Sequence, residues 1–132
     1  MYMPVSLLVS DEERKQRILT AIADGYSRQI LMRTRDEPVS ALNLSKNYEI
    51  PITTVYRRIE ELVRAGLLVA VKSGRTPDGK WYELYRSLLR RIDVSFEGGQ
   101  MRIEVEINDH IADKFTRIWS LLAPSTPIQV TA

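Results

Sequence analysis

The chain has 132 residues and 15.2 kDa, 44% of them hydrophobic and 27% charged, which is room for one ordinary domain with a real core. There is no cysteine and a single histidine, His110, which excludes disulfides, thiolate metal sites, clustered-histidine zinc and a Ser-His-Asp arrangement with a spare base. The longest apolar run falls far short of the roughly 20 residues of a membrane span, and Met1–Val9 lacks the basic start of a signal peptide, so the expectation is a cytoplasmic protein without membrane contact.

Nineteen basic residues face 17 acidic ones, for a net charge of +2. The excess is local. Met1–Gly25 carries 3 basic and 4 acidic residues, Tyr26–Ser87 carries 11 and 7, and Leu88–Ala132 carries 5 and 6. Positive potential gathers in the middle of the chain, where the footprint of a polyanion would lie.

Ser10-Asp11-Glu12-Glu13 has the form of a capping box and opens a helix with Ile18, Leu19 and Ile22 at helical spacing; Gly25 is its expected stop. A second helix runs from about Tyr26 to Thr34, with Ile30 and Leu31 inward and Arg28, Arg33 and Arg35 outward. Asp36-Glu37-Pro38 ends it. Ser40 then caps a short helix, Ala41–Asn47, and Tyr48–Pro51 is a tight turn. From Ile52 to Ala65 the spacing of Val55, Ile59 and Leu62 marks one buried stripe, and Gly66 stands where positive φ is needed.

The period then changes. Leu67–Val71 and Trp81–Arg86 read as strands joined by a long exposed tip, Lys72–Lys80, containing Gly74, Pro77, Asp78 and Gly79. A second hairpin follows: Ile92, Val94 and Phe96 alternate with polar residues before Gly98-Gly99, and Met101, Ile103, Val105 and Ile107 alternate after it. Its apolar face requires a cover. Asn108 caps a last helix to about Leu122, striped by Ile111, Phe115, Ile118, Trp119 and Leu122, and 124–132 reads as a tail.

Three helices followed by a basic-tipped hairpin give an α+β fold class: a winged helix-turn-helix (26–87) with an N-terminal helix (1–25), an added C-terminal β-hairpin and a C-terminal helix (88–123). A helix held by a short helix and a tight turn protrudes, and its diameter matches the major groove of DNA. The outer flank of Ile52–Ala65 shows Thr53, Thr54, Tyr56, Arg57 and Arg58, suited to phosphates and base edges. Ser40 and Lys46 are assigned to the same surface, and Lys72, Arg75 and Lys80 to the adjacent backbone. The bland alternative pairs Arg57 with Glu61 and Glu60 with Arg64 along the helix, leaves the tip a solvated loop and packs Tyr56 on the wing. Trp81, Tyr82 and Tyr85 are read as covering the helices, and His110 as a solvated helix start.

Ala21–Leu68 resembles the ArsR-type winged-helix regulators in their broad sense, archaeal members included. Ala23-Asp24 with Arg28 and Ile30-Leu31 is similar to that family's opening helix. Pro38, Leu44 and Ile50 fit its second helix and turn, and Thr54-Val55-Tyr56-Arg57, Leu62 and Ala65-Gly66-Leu67 its recognition helix and wing start. The resemblance implies a dimeric DNA-binding transcriptional regulator with Thr53, Thr54, Tyr56 and Arg57 facing DNA. Two departures stand out. Glu49 replaces the usual turn glycine, which puts the burden of positive φ on Asn47, and the cysteines or clustered histidines of metal-sensing members are missing.

The resulting expectation is a homodimer on double-stranded DNA, with no cofactor, no metal, no enzymatic activity and an unknown effector. Its seam is expected from Ile18 and Ile22 of the first helix and from Ile111, Phe115, Ile118, Trp119 and Leu122 of the last. A winged-helix protein-interaction module without sequence-specific DNA binding is the alternative.

Overall fold

The computed structural model describes residues 5–108 and 125–130. In chain order these form β1 (Val5–Val9), α1 (Glu12–Ala23), α2 (Gly25–Arg33), β2 (Val39–Ser40), α3 (Ala41–Tyr48), α4 (Ile52–Arg64), β3 (Leu68–Arg75), β4 (Trp81–Ser87), β5 (Leu89–Glu97), β6 (Gln100–Ile107) and β7 (Ser125–Val130). The mixed α+β winged-helix architecture expected from the sequence is present. The helix predicted from Asp109 to Leu122, with its five stripe residues and His110, lies outside the described residues.

Asp11, rather than Ser10, caps α1: its carboxylate accepts from the Arg14 amide at 3.1 Å. Glu13 does not close the box but turns to Arg17, 2.7 Å away. Gly25 is not a stop either. Asp24 sits in extended conformation (φ −93°, ψ 128°), ends α1 and caps α2 through the Ser27 amide at 2.8 Å, and Gly25 becomes the first residue of α2. An extended corner needs no positive φ, so the glycine is free to enter the helix. Arg14, on the α1 face turned inward, is 2% exposed, and this burial, against the pull of Asp11, lowers its pKa to about 10.

Ser40 caps α3 as expected, accepting from the Asn43 amide at 3.1 Å. The turn after α3 uses Glu49 itself, at φ 54° and ψ 42°, while Asn47 stays helical and donates to the Asn43 side chain at 2.7 Å. The reason is position: the left-handed residue must directly follow the last helical one, Tyr48, where its amide can reach the Ser45 carbonyl. Gly66, at φ 76°, closes α4 as the sequence predicts, with its amide on the Val63 carbonyl at 3.0 Å.

The first hairpin pairs with β2 into a three-stranded sheet, β2-β4-β3. The second hairpin belongs to a four-stranded antiparallel sheet, β5-β6-β1-β7. Two of its strands were not anticipated. β1 pairs with β6 (Leu7 opposite Val105), so residues 1–25 are not merely a helix, and β7 runs on the other side of β1 where a tail was expected. One core joins helices and sheet: Leu7, Val9, Ile18, Ile30, Leu44, Val55, Leu62, Ile103 and Val105 all lie within it. Ile18 is fully buried, which removes it from an intermolecular seam, and Ile22 is half-buried. The apolar face of the second hairpin divides. Ile103, Val105 and Ile107 on the inner strand are buried, while Val94 (45% exposed) and Phe96 (73%) on the edge strand face solvent.

Candidate nucleic-acid interface

α4 turns Val55, Ile59 and Leu62 into the core, as its spacing predicts. Its opposite flank carries exposed Thr53, Tyr56 and Arg57, with Thr54 half-buried beside them. Pro51 precedes the helix and offers no side chain to cap it. The first amides of α4 are thus left for water or for an anion placed there, and the positive end of the helix dipole favours the anion.

The two arginines of this helix part company. Arg57 is exposed and makes no ion pair among the described residues. Arg58 turns inward, its Nε 3.0 Å from Asp24 Oδ2 and its Nη1 3.0 Å from Glu61 Oε1. Its role is to brace α4 against the α1–α2 corner, which corrects its assignment to the DNA-facing set. Glu61 therefore goes to Arg58 and leaves Arg57 unengaged, while the expected Glu60–Arg64 pair forms at 2.6 Å. The Asp24 carboxyl is pushed up by burial, but the Ser27 amide and hydroxyl and the Arg58 guanidinium outweigh this and hold it below its ordinary value.

The wing is more ordered than a long loose tip. β3 continues to Arg75 and β4 starts at Trp81, so only Thr76–Lys80 make the turn, closed by the Thr76 amide on the Lys80 carbonyl at 2.8 Å with Gly79 at φ 88°. Lys72 therefore lies within a strand, opposite Leu84, and Arg75 opposite Trp81. Three residues apart in a strand, Lys72 and Arg75 leave from opposite faces of the wing.

Ser40, Asn43, Tyr48 and Tyr56 meet Thr76, Lys80 and Trp81 around one cleft between α3 and the wing. Lys46, Arg57 and Lys72 are exposed but outside it. Sequence reasoning missed two of its features. Arg33 is stacked over Tyr48 at 4.3 Å, and Arg75 over Trp81 at 5.1 Å. Trp81 and Tyr82 were expected to cover helices, yet they are 69% and 41% exposed; only Tyr85 is half-buried as expected. Burial, with Glu83 and Tyr56 nearby, pushes the Tyr85 hydroxyl up. The signal available in the sequence was that Trp81 directly follows the basic turn, beyond the reach of the helical core.

Residues 22–71 match the family model described as a helix-turn-helix domain. These residues span the end of α1 through the start of β3, so the matched segment holds α2, α3 and α4 whole. No curated protein and no solved structure matches the chain. The match agrees with the helix, turn and helix that the structure places in this segment.

Proposed function

We propose that this chain, with its helix-turn-helix domain, is a dimeric, sequence-specific transcriptional regulator of double-stranded DNA. In this reading α4 enters the major groove N-terminus first. Thr53 and Thr54 meet the phosphates that frame the groove, and Arg57 and Tyr56 reach base edges. Ser40 at the start of α3, Lys46, and the wing cations Lys72, Arg75 and Lys80 hold the flanking backbone. Nothing in this mechanism requires turnover or a cofactor. The observation that carries it is the exposed Thr53-Tyr56-Arg57 flank on a helix whose first amides lack a side-chain cap.

A two-fold dimer would set two α4 helices about one DNA turn apart, roughly 34 Å, on a palindromic operator. The resemblance at Thr54–Arg57 and Ala65–Leu67 favours ArsR-type regulators among helix-turn-helix families, without metal sensing through cysteine. The test is fluorescence anisotropy on duplexes selected from a random pool. The expected result is one enriched, two-fold-symmetric motif bound well above random duplex. No duplex affinity at low salt would end this reading.

The protein-interaction alternative draws on one observation, the exposed Val94 and Phe96. A stoichiometric heterologous partner on that strand, together with absent DNA binding, would favour it.

A further inference from the structure

We propose that two copies of this chain join through β5, edge to edge and antiparallel, with Val94 opposite Val94 of the second copy. The proposal names the contact for the dimer read above and rests on that reading only for the presence of two copies; it does not assume DNA binding.

β5 closes one side of the four-stranded sheet and has β6 as its neighbour among the described residues. Which of its backbone groups face outward follows from the hairpin turn. Gly98 and Gly99 form a two-residue loop, both at positive φ (57° and 76°), so Glu97 and Gln100 flank it as a hydrogen-bonded pair. Antiparallel ladders alternate, so Phe96–Met101, Val94–Ile103 and Ile92–Val105 are the wide positions on the β6 side. The amides and carbonyls of Ile92, Val94 and Phe96 therefore point away from β6, to the open edge. The same three side chains carry the apolar face, Val94 at 45% and Phe96 at 73% exposure.

The two edges of this sheet differ. β7 contains Pro127, which lacks an amide hydrogen, and its pairing with β1 shifts register. β5 runs from Arg91 to Glu97 without proline or register shift; the irregularity lies before Arg91. From Arg91 to Glu97 β5 thus keeps a regular backbone edge, with Arg91, Asp93 and Glu97 as the charges that a partner strand must match.

Charge selects the partner and the register. Centred on Val94, an antiparallel copy sets Ile92 opposite Phe96, Val94 opposite Val94, Arg91 opposite Glu97 and Asp93 opposite Ser95. The first two pairs extend the apolar face across the junction, and Arg91–Glu97 puts opposite charges together on the other face. Sliding two residues one way sets Asp93 against Asp93. Sliding two the other way sets Asp93 against Glu97. A one-residue slip turns apolar side chains against polar ones. Among these registers the one centred on Val94 pairs apolar with apolar residues and sets no carboxylates face to face, and this self-complementarity makes a second copy the occupant.

The test uses the full chain, which has no natural cysteine. Light scattering on the wild type should give twice 15.2 kDa. Under mild oxidation Val94→Cys should form disulfide-linked dimers, since facing Cα atoms of such a pair lie about 5.5 Å apart. Ser95→Cys should not, because its two copies would stand about 8 Å apart. Val94→Lys sets like charges face to face and should weaken the dimer about tenfold or more while native circular dichroism persists. A dimer in which Val94→Cys fails to cross-link, or which Val94→Lys leaves intact, places the contact elsewhere and overturns this proposal alone. A monomer at every concentration overturns both the proposal and the dimer, and leaves DNA binding to be judged by anisotropy.

Discussion

Arg58 Nη2 donates to Asp24 Oδ1 at 3.0 Å, and its Nε stands 3.0 Å from the other oxygen of the same carboxylate. Asp24 also caps α2, so one aspartate ties the start of the second helix to the outer flank of the fourth. Breaking this partly buried pair should cost about 1–3 kcal/mol of stability. Arg58→Ala should therefore lower the melting temperature and change DNA affinity little at temperatures where the protein stays folded. Arg57→Ala should do the reverse: unchanged melting, and a loss of about 1–3 kcal/mol in operator affinity with relaxed sequence preference. Calorimetry and anisotropy on the two variants would separate a brace from a reader, and equal effects on both readouts would undo the distinction.

The same carboxylate gives a pH signature. Its folded-state pKa lies below the ordinary 3.8, so the folded protein holds the charged form more strongly than the unfolded chain does. The stabilisation is complete above about pH 4 and disappears as pH falls through the folded-state value. Asp24→Asn keeps a competent cap but loses the ion pair. It should melt below the wild type at pH 7, and the gap should close below about pH 4. A gap that is constant with pH would mean that the charge contributes nothing.

Glu49 holds a left-handed conformation that costs a residue with a side chain about 1–2 kcal/mol. Glycine there relieves that cost but frees the unfolded chain, which takes back part of the gain. Glu49→Gly should raise the melting temperature by a few degrees. Asn47→Gly, inside the helix, should lower it. Scanning calorimetry of both variants checks the sign.

The wing cations should act without regard to sequence. Lys72→Ala and Lys80→Ala should each weaken selected and random duplexes alike and reduce the slope of log affinity against log salt by about one. Since Lys72 and Arg75 leave opposite faces of β3 and share no partner, the losses from the two single variants should add in the double variant. Salt titrations of the single and double variants decide this.

What could be read from the sequence was what neighbouring residues encode. The stripe Val55-Ile59-Leu62, the stop at Gly66 and the Gly98-Gly99 hairpin are local patterns, and each is where the sequence puts it. β1 and β7 depend instead on partners far along the chain. Leu7 finds Val105 and Pro127 finds Leu7, and no spacing within five or six residues announces either pairing. The tail reading of 124–132 missed β7 because the tolerance of Pro127 at a sheet edge shows only once the edge exists. In the site, the outward flank of α4 was legible from its helical period. The inward turn of Arg58 was not, because Asp24 lies 34 positions away.

The first strand sits between β6 and β7, so the opening residues are the shared seam of a sheet whose other members all come after the helices. The helix-turn-helix is in effect an insertion, with the polypeptide laced shut behind it. Trimming the first ten residues would not remove an appendage: it would leave β6 and β7 without their common neighbour and expose Ile103, Val105 and Ile107 along an opened cleft. An affinity handle or fusion attached at that end would pull on the middle of the fold, and a short flexible spacer there is the prudent choice.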